Sequence, residues 1–281
     1  MRIQRIEIGN YRKLENVRID ISENTTLFVG ANNSGKTSAI DAIKHFLDDH
    51  SFKLSDFTVS NLPRIRDIGK GWEEATDTKD EGSGEVAEFN DQLQTLEEWT
   101  TILPHLDVWI SAAEQEVHRA SELLPLLDDY SGGVGVRLRL QPRDVQQLAR
   151  DYLSARKAVE STRESEPDEE KRPRLNPMNL AEFLEGKLSR HFHVVAYRLN
   201  PYQVEPNIDF GAGPVGIDAN ADAEDLPGRP QAVGSESKPI GISAVRRLIK
   251  VDTISAQRWL ENHDSASTLS SSIASYYREH L

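Results

Sequence analysis

Cysteine is absent from the 281-residue chain, which excludes disulfide frameworks, cysteine-ligated zinc and thiol nucleophiles. No apolar run approaches the roughly 18 residues that a membrane span requires. The N-terminus, MRIQRIEIGNYRK, lacks the apolar stretch of a secretory signal. The expected setting is the cytoplasm, with no membrane partner. Positive charge is also in short supply: 33 Lys and Arg stand against 46 Asp and Glu, a net −13. Bulk charge therefore does not advertise nucleic-acid binding. A chain of this length makes one large domain or two small ones and needs no metal or disulfide staple.

The acidity is concentrated. Between Trp72 and Thr100 ten acidic residues face one lysine, net −9, which leaves −4 of the total −13 for the rest of the chain. Residues 62–100 are expected to be an irregular acidic insertion, with a helix near Phe89–Trp99. Two further stretches read as linkers or loops. Residues 160–177 are charged and proline-dotted, and residues 205–240 hold five prolines and five glycines, well above the ordinary share.

The periodicity elsewhere is clearer. Ile6 and Ile8, then Val17, Ile19 and Ile21, alternate with polar residues and predict an antiparallel strand pair around a turn between Gly9 and Asn16. Leu27-Phe28-Val29 is an unbroken apolar run, as expected of a strand buried on both faces. An amphipathic helix follows, with Ala39, Ile40, Ile43, Phe46 and Leu47 at helical spacing. Leu106, Val108 and Ile110 predict a strand, and so do Val136, Leu138 and Leu140. Val117, Leu123, Leu124 and Leu127 suit a helix that Pro125 ends or kinks. Asp144 is positioned to cap a helix carrying Val145, Leu148, Ala149, Tyr152 and Leu153. A helix from Leu180 to Leu188, a strand from Val194 to Leu199 and a mostly helical segment over 241–281 complete the pattern.

Gly30-Ala31-Asn32-Asn33-Ser34-Gly35-Lys36-Thr37 matches G-x-x-x-x-G-K-[ST] at every fixed position. Glycines let the backbone turn its N–H groups around a phosphate, and the following helix adds its positive end. Lys36 is placed to reach the outer phosphates, and the Thr37 hydroxyl is suited to Mg²⁺. The candidate site residues are Gly30, Asn32, Asn33, Ser34, Gly35, Lys36, Thr37 and Ser38.

Ile8-Gly9-Asn10-Tyr11-Arg12-Lys13-Leu14, followed by Phe28-Val29-Gly30 and the rest of that loop, resembles the opening of ABC-type ATPases of the SMC, RecF and OLD group. The Asn-Asn-Ser-Gly-Lys-Thr version most resembles the OLD (overcoming lysogenization defect) family of ATP-dependent nucleases. The match covers residues 1 to about 50, with a weaker likeness in style through Asp252–Arg258. The resemblance implies an α/β P-loop NTPase fold, an ABC-type lobe with a mixed sheet and helical insertions. It assigns Gly30–Thr37 to ATP phosphates and Mg²⁺, and places Arg12, with Tyr11 and Lys13 beside it, near phosphate or base. It further implies a head-to-head homodimer and DNA as partners of the intact protein, in DNA repair or anti-phage defence.

Two elements of such an enzyme have only decoys. The nearest string to a Walker B strand is Leu123–Asp129, and Pro125 sits mid-run, where a central strand cannot lose its N–H. Tyr130-Ser131-Gly132-Gly133 shares the core of a signature motif but feeds a strand rather than a helix. No nuclease domain is visible either. The chain is therefore expected to be the N-terminal half of an ATPase domain, with 241–281 leading toward a coiled coil. No residue is assigned a catalytic role; ATP hydrolysis rests on the resemblance. The alternative is a non-catalytic, nucleotide-dependent interaction module. Among smaller candidates, His191-x-His193 lacks a third metal ligand. Arg137 with Arg139, and Arg246, Arg247 and Lys250 with Arg258, are the local basic clusters that could touch DNA phosphates.

Overall fold

Alternating apolar residues organise the centre of the molecule. The computed structural model describes residues 1–77, 96–111, 114–123, 133–164, 176–200, 231–234 and 237–253. Strands β1 (Arg2–Tyr11) and β2 (Leu14–Asp20) form the expected hairpin, with Ile6 opposite Ile19 and Ile8 opposite Val17. The turn is tighter than the sequence suggests, because Tyr11 already pairs with Leu14. Strands β3 (His105–Ser111), β4 (Gly133–Pro142), β5 (Phe192–Leu199) and β6 (Pro239–Ile240) extend the sheet in the order β2-β1-β3-β4-β5-β6. Every described pairing is antiparallel.

One face of this sheet carries Ile6, Ile8, Leu106, Val108, Val136 and Leu138, all buried in the main core. Helices α1 (Lys36–Lys44), α2 (Leu62–Asp77), α3 (Leu96–Thr100), α4 (Val145–Glu164), α5 (Leu180–Leu184), α6 (Leu188–His191) and α7 (Ile242–Leu248) contribute to that same core. Asp144 caps α4 through the Gln147 N–H at 2.9 Å. Gly186, at φ +77°, breaks the expected helix over 180–188 into α5 and α6.

The acidic insertion is smaller than its charge suggests. Residues 62–77 form α2, whose Ile65 and Trp72 are fully buried, and Trp99 of α3 is buried beside them. Trp72 lies 6.4 Å from Trp99 and 6.2 Å from Tyr152, ring centre to ring centre. The reason is that Leu62, Ile65, Ile68 and Trp72 recur at helical spacing beneath the acids. Glu73 then joins α2 to α4 by accepting from Arg156 Nε at 3.1 Å and from the Tyr152 hydroxyl. Residues 78–95, with most of the expected helix near 89–99, lie outside the described residues.

Both expected linkers are partly structured. Residues 160–164 continue α4. Val233 packs with Trp109, Val195, Tyr197 and Leu199 on the sheet face away from the helices, and Ile240 pairs with Ala196. Leu27-Phe28-Val29 is a clear correction. It belongs to no strand, and Leu27 and Val29 are 79% and 89% exposed. Apolar composition favours a strand only where neighbouring strands offer hydrogen bonds, and here none is adjacent among the described residues.

Glu114–Leu123 is a 3₁₀ segment rather than an α-helix, and Leu124–Leu127, Asp128 and Asp129 lie outside the described residues. Met1–Val251 is one compact unit. Asp252–Leu281 is a second, of which only Asp252 and Thr253 are described. Beyond α7, the helical reading of 241–281 and the Asp252–Arg258 likeness therefore fall almost wholly outside the described residues. No described helix is long and apolar enough to cross a membrane.

Candidate functional site

The loop between residues 27–29 and α1 is shaped by two left-handed residues, Asn33 at φ 67° and Gly35 at φ +97°. Glycine takes that conformation without steric cost, whereas an L side chain does not. Gly35 is also the N-cap of α1, which has no side-chain cap and no acid in its first turn. The first N–H groups of the helix, and the positive end of its dipole, are thus left to an anionic ligand.

The Lys36 ammonium folds back over the loop. It donates to the carbonyls of Gly30 and Ala31, each at 2.7 Å, and to Ser34 Oγ at 3.2 Å. A Cβ added at Gly30 would fall 2.9 Å from Ser34 Oγ, so a side chain there would crowd the cradle. Asn32, Asn33, Ser34 and Thr37 line the surface around it, while Ser38 is buried beneath the helix start.

The β1–β2 turn forms a second wall. Lys13 donates to the main-chain and side-chain oxygens of Asn33. Leu14 packs 3.0 Å from the position of an added Gly35 Cβ. Arg12, at φ 51°, gives Nη1 to Asp41 at 2.6 Å and Nε to Asp56 at 2.9 Å. Its neighbour Tyr11 donates to Asp56 at 3.3 Å and sits 2.9 Å from His45 Nδ1. Burial, then the Asp56 charge, push the Tyr11 phenol up, so it remains a donor at neutral pH. The structure therefore places Arg12 beside the loop but in the grip of two carboxylates, which tie β1 to α1 and to the 54–56 turn. Asp41 and Asp56 were not singled out as site residues from the sequence, and Lys13 only as a neighbour of Arg12. Their partners lie 20 to 44 residues away, and no local pattern announces them.

The other candidates fare differently. Arg137 and Arg139 are 5% and 1% exposed, so neither is available to a DNA phosphate. Alternation correctly puts them on one face, but that face is covered. Arg246 contacts His50, and Arg247 pairs with Glu122 at 2.5 Å; Arg258 lies outside the described residues. His191 belongs to α6 and faces Asp151 at 3.9 Å, while His193 is on β5. Among the described residues no group of three ligating side chains could hold a metal.

The AAA ATPase domain family matches residues 1–195 of the chain. The chain belongs to that family. Its fold is accordingly that of a P-loop ATPase domain. A solved structure of SMC ATPases, described for ATP-driven dimerization and DNA-stimulated activation, is similar at 16% identity with a TM-score of 0.27. The likeness covers 50% of this chain and 64% of that one, so the chain spans less than two thirds of its length. No curated protein matches the chain.

Proposed function

We propose that the loop Gly30–Ser38 binds the β- and γ-phosphates of ATP, with the Thr37 hydroxyl holding Mg²⁺. The observation that carries this is the Lys36 ammonium, held 2.7 Å from two loop carbonyls above an uncapped helix start. These residues suit the ligand: an uncapped helix N-terminus, a glycine whose Cβ would fill the cradle, and a lysine for charge. Bound Mg²⁺ would neutralise phosphate charge. Lys36 would exchange its carbonyl partners for phosphate oxygens, while Lys13 holds Asn33, and with it the wall of the loop. Arg12 acts in this reading through Asp41 and Asp56, fixing the wall against α1.

The wider reading is an OLD-like ATP-dependent nuclease of DNA repair or anti-phage defence, of which residues 1–281 are the N-terminal part of the ATPase domain. The exposure of Leu27 and Val29 supports only the part of that reading in which further strands cover the segment leading into the loop. In that reading, ATP-driven head-to-head dimerisation and DNA contact belong to the intact protein.

Isothermal titration of Mg-ATP into the wild type and Lys36→Ala tests the nucleotide assignment. Removing a charge-assisted contact worth about 1.5–3 kcal/mol lowers affinity by roughly ten- to a hundredfold. Equal affinity of the two proteins overturns the assignment.

A further inference from the structure

Helix α1 starts at Lys36 of the loop and runs into a π-type turn, His45–Asp49, that ends on His50. His50 takes the left-handed conformation, at φ 51°. Its backbone N–H donates to the His45 carbonyl at 3.0 Å, and its ring nitrogen Nδ1 lies 2.9 Å from the same oxygen. A carbonyl only accepts, so Nδ1 carries the ring's proton and Nε2 is left as an acceptor. That acceptor meets Nη2 of Arg246, an exposed residue in the last turn of α7.

The rest of α7 is held by other means. Ala244 and Val245 are buried in the main core, and Arg247 pairs with Glu122. Ile249 closes the helix by donating to the Val245 carbonyl at 2.9 Å. The Arg246–His50 contact joins this last turn to the far end of the helix that carries Lys36 and Thr37.

The contact admits one protonation state of the ring. A guanidinium stays charged and only donates, so it needs the lone pair of Nε2. A proton on Nε2 replaces that acceptor with a second donor and sets two positive charges face to face. The charged groups that face the ring are Arg246 from α7 and Asp48 and Asp49 from its own turn. Burial first, and then Arg246, hold the ring's pKa below the ordinary 6.5, against the two carboxylates and the His45 carbonyl.

We propose that His50 and Arg246 form an acid-sensitive joint between the loop-bearing helix and α7, closed while the ring is neutral and opened when it is protonated. Folding depresses the pKa, so the contact is complete above pH 6.5 and is lost as pH falls below it and the ring takes up its proton. Opening frees the last turn of α7 and not the whole helix, because Ala244 and Val245 stay in the core. No ligand takes part, so the nucleotide reading can fail without touching this joint.

Amide hydrogen exchange of Ile249, followed by NMR from about pH 7.5 to 5, tests it in the wild type and in Arg246→Met. The His50 ring is titrated in the same samples. Exchange is expressed as protection relative to a free peptide, which removes the intrinsic pH dependence. An exposed contact of this kind should change Ile249 protection by roughly two- to fivefold. In the wild type that protection should fall in step with the His50 titration. Arg246→Met should start at the lower value and stay there, and its His50 should titrate at higher pH than in the wild type. Wild-type protection that does not follow His50, an equal fall in Arg246→Met, or a His50 pKa unmoved by the substitution overturns the joint.

Discussion

Replacing Asp107 by asparagine should be among the most damaging single changes outside the apolar core. The Asp107 side chain is 0% exposed and that of Arg137 6%. The two are register partners on β3 and β4 and meet through both prongs of the guanidinium, at 2.7 and 2.6 Å. The asparagine would remove the charge and one good acceptor while Arg137 stays ionised and buried. Breaking one side of such a pair costs about 3–5 kcal/mol, out of the roughly 5–15 kcal/mol that typically holds a domain together. Removing both charges is a different perturbation. Asp107→Leu with Arg137→Met leaves no stranded charge, and is expected to be neutral or stabilising. Glu7 offers a second readout. It pairs in register with Asp107, and its pKa is raised by burial first and by the Asp107 charge second. Asp107→Asn should therefore let Glu7 ionise at lower pH. Urea unfolding at neutral pH, with an NMR titration of Glu7, measures both. A cost under about 1 kcal/mol for Asp107→Asn would show that water reaches this face and refute the reasoning.

Two other expectations concern His105. Its folded pKa of about 4 lies below the ordinary 6.5 because the ring is buried, with Arg137 adding to the effect. For a depressed pKa the contribution to stability is complete above pH 6.5 and disappears as pH falls toward 4, by roughly 3 kcal/mol. The stability difference between wild type and His105→Gln should follow that window in urea titrations, and a difference that stays flat from about pH 7 to 4 contradicts it. Gly9 admits the His105 ring against its backbone, where an added Cβ would fall 2.2 Å from the ring's Cε1 and 2.4 Å from Nε2. Gly9→Ala should cost about 1–3 kcal/mol in the same assay, and an unchanged midpoint would show that the ring moves aside freely.

What could be read from the sequence was whatever short-range periodicity controls. The β1–β2 hairpin, β3, β4 and the Asp144-capped α4 each announce themselves within a short stretch of chain, and the loop motif carries its own chemistry. Charge obscured α2, because acids on its exposed face hid the spacing of Leu62, Ile65, Ile68 and Trp72 that packs it into the core. Leu27-Phe28-Val29 failed for the opposite reason: its composition is that of a strand, but pairing partners and not composition make a strand. Arg137 and Arg139 show a third limit. Alternation assigns them to one face, yet whether that face meets water depends on Asp107, 30 residues away, and Val233, 94 residues away.

The same long-range logic gives the Ile8–Leu14 motif a physical meaning that neither periodicity nor likeness supplies. Gly9 admits His105, and Asn10 donates to the carbonyls of Thr101 and Leu103. Tyr11 and Arg12 converge on Asp56, Arg12 also reaches Asp41 of α1, and Lys13 and Leu14 touch Asn33 and Gly35 of the loop. Consecutive residues of one turn thus join the sheet, the helix that follows the loop and the loop itself. A phosphate drawing Lys36 off the carbonyls of Gly30 and Ala31 would act on a loop already braced at Asn33 and Gly35. The hairpin motif and the phosphate motif are well separated in sequence, but in space they make one device: a cradle and the wall that keeps it in shape.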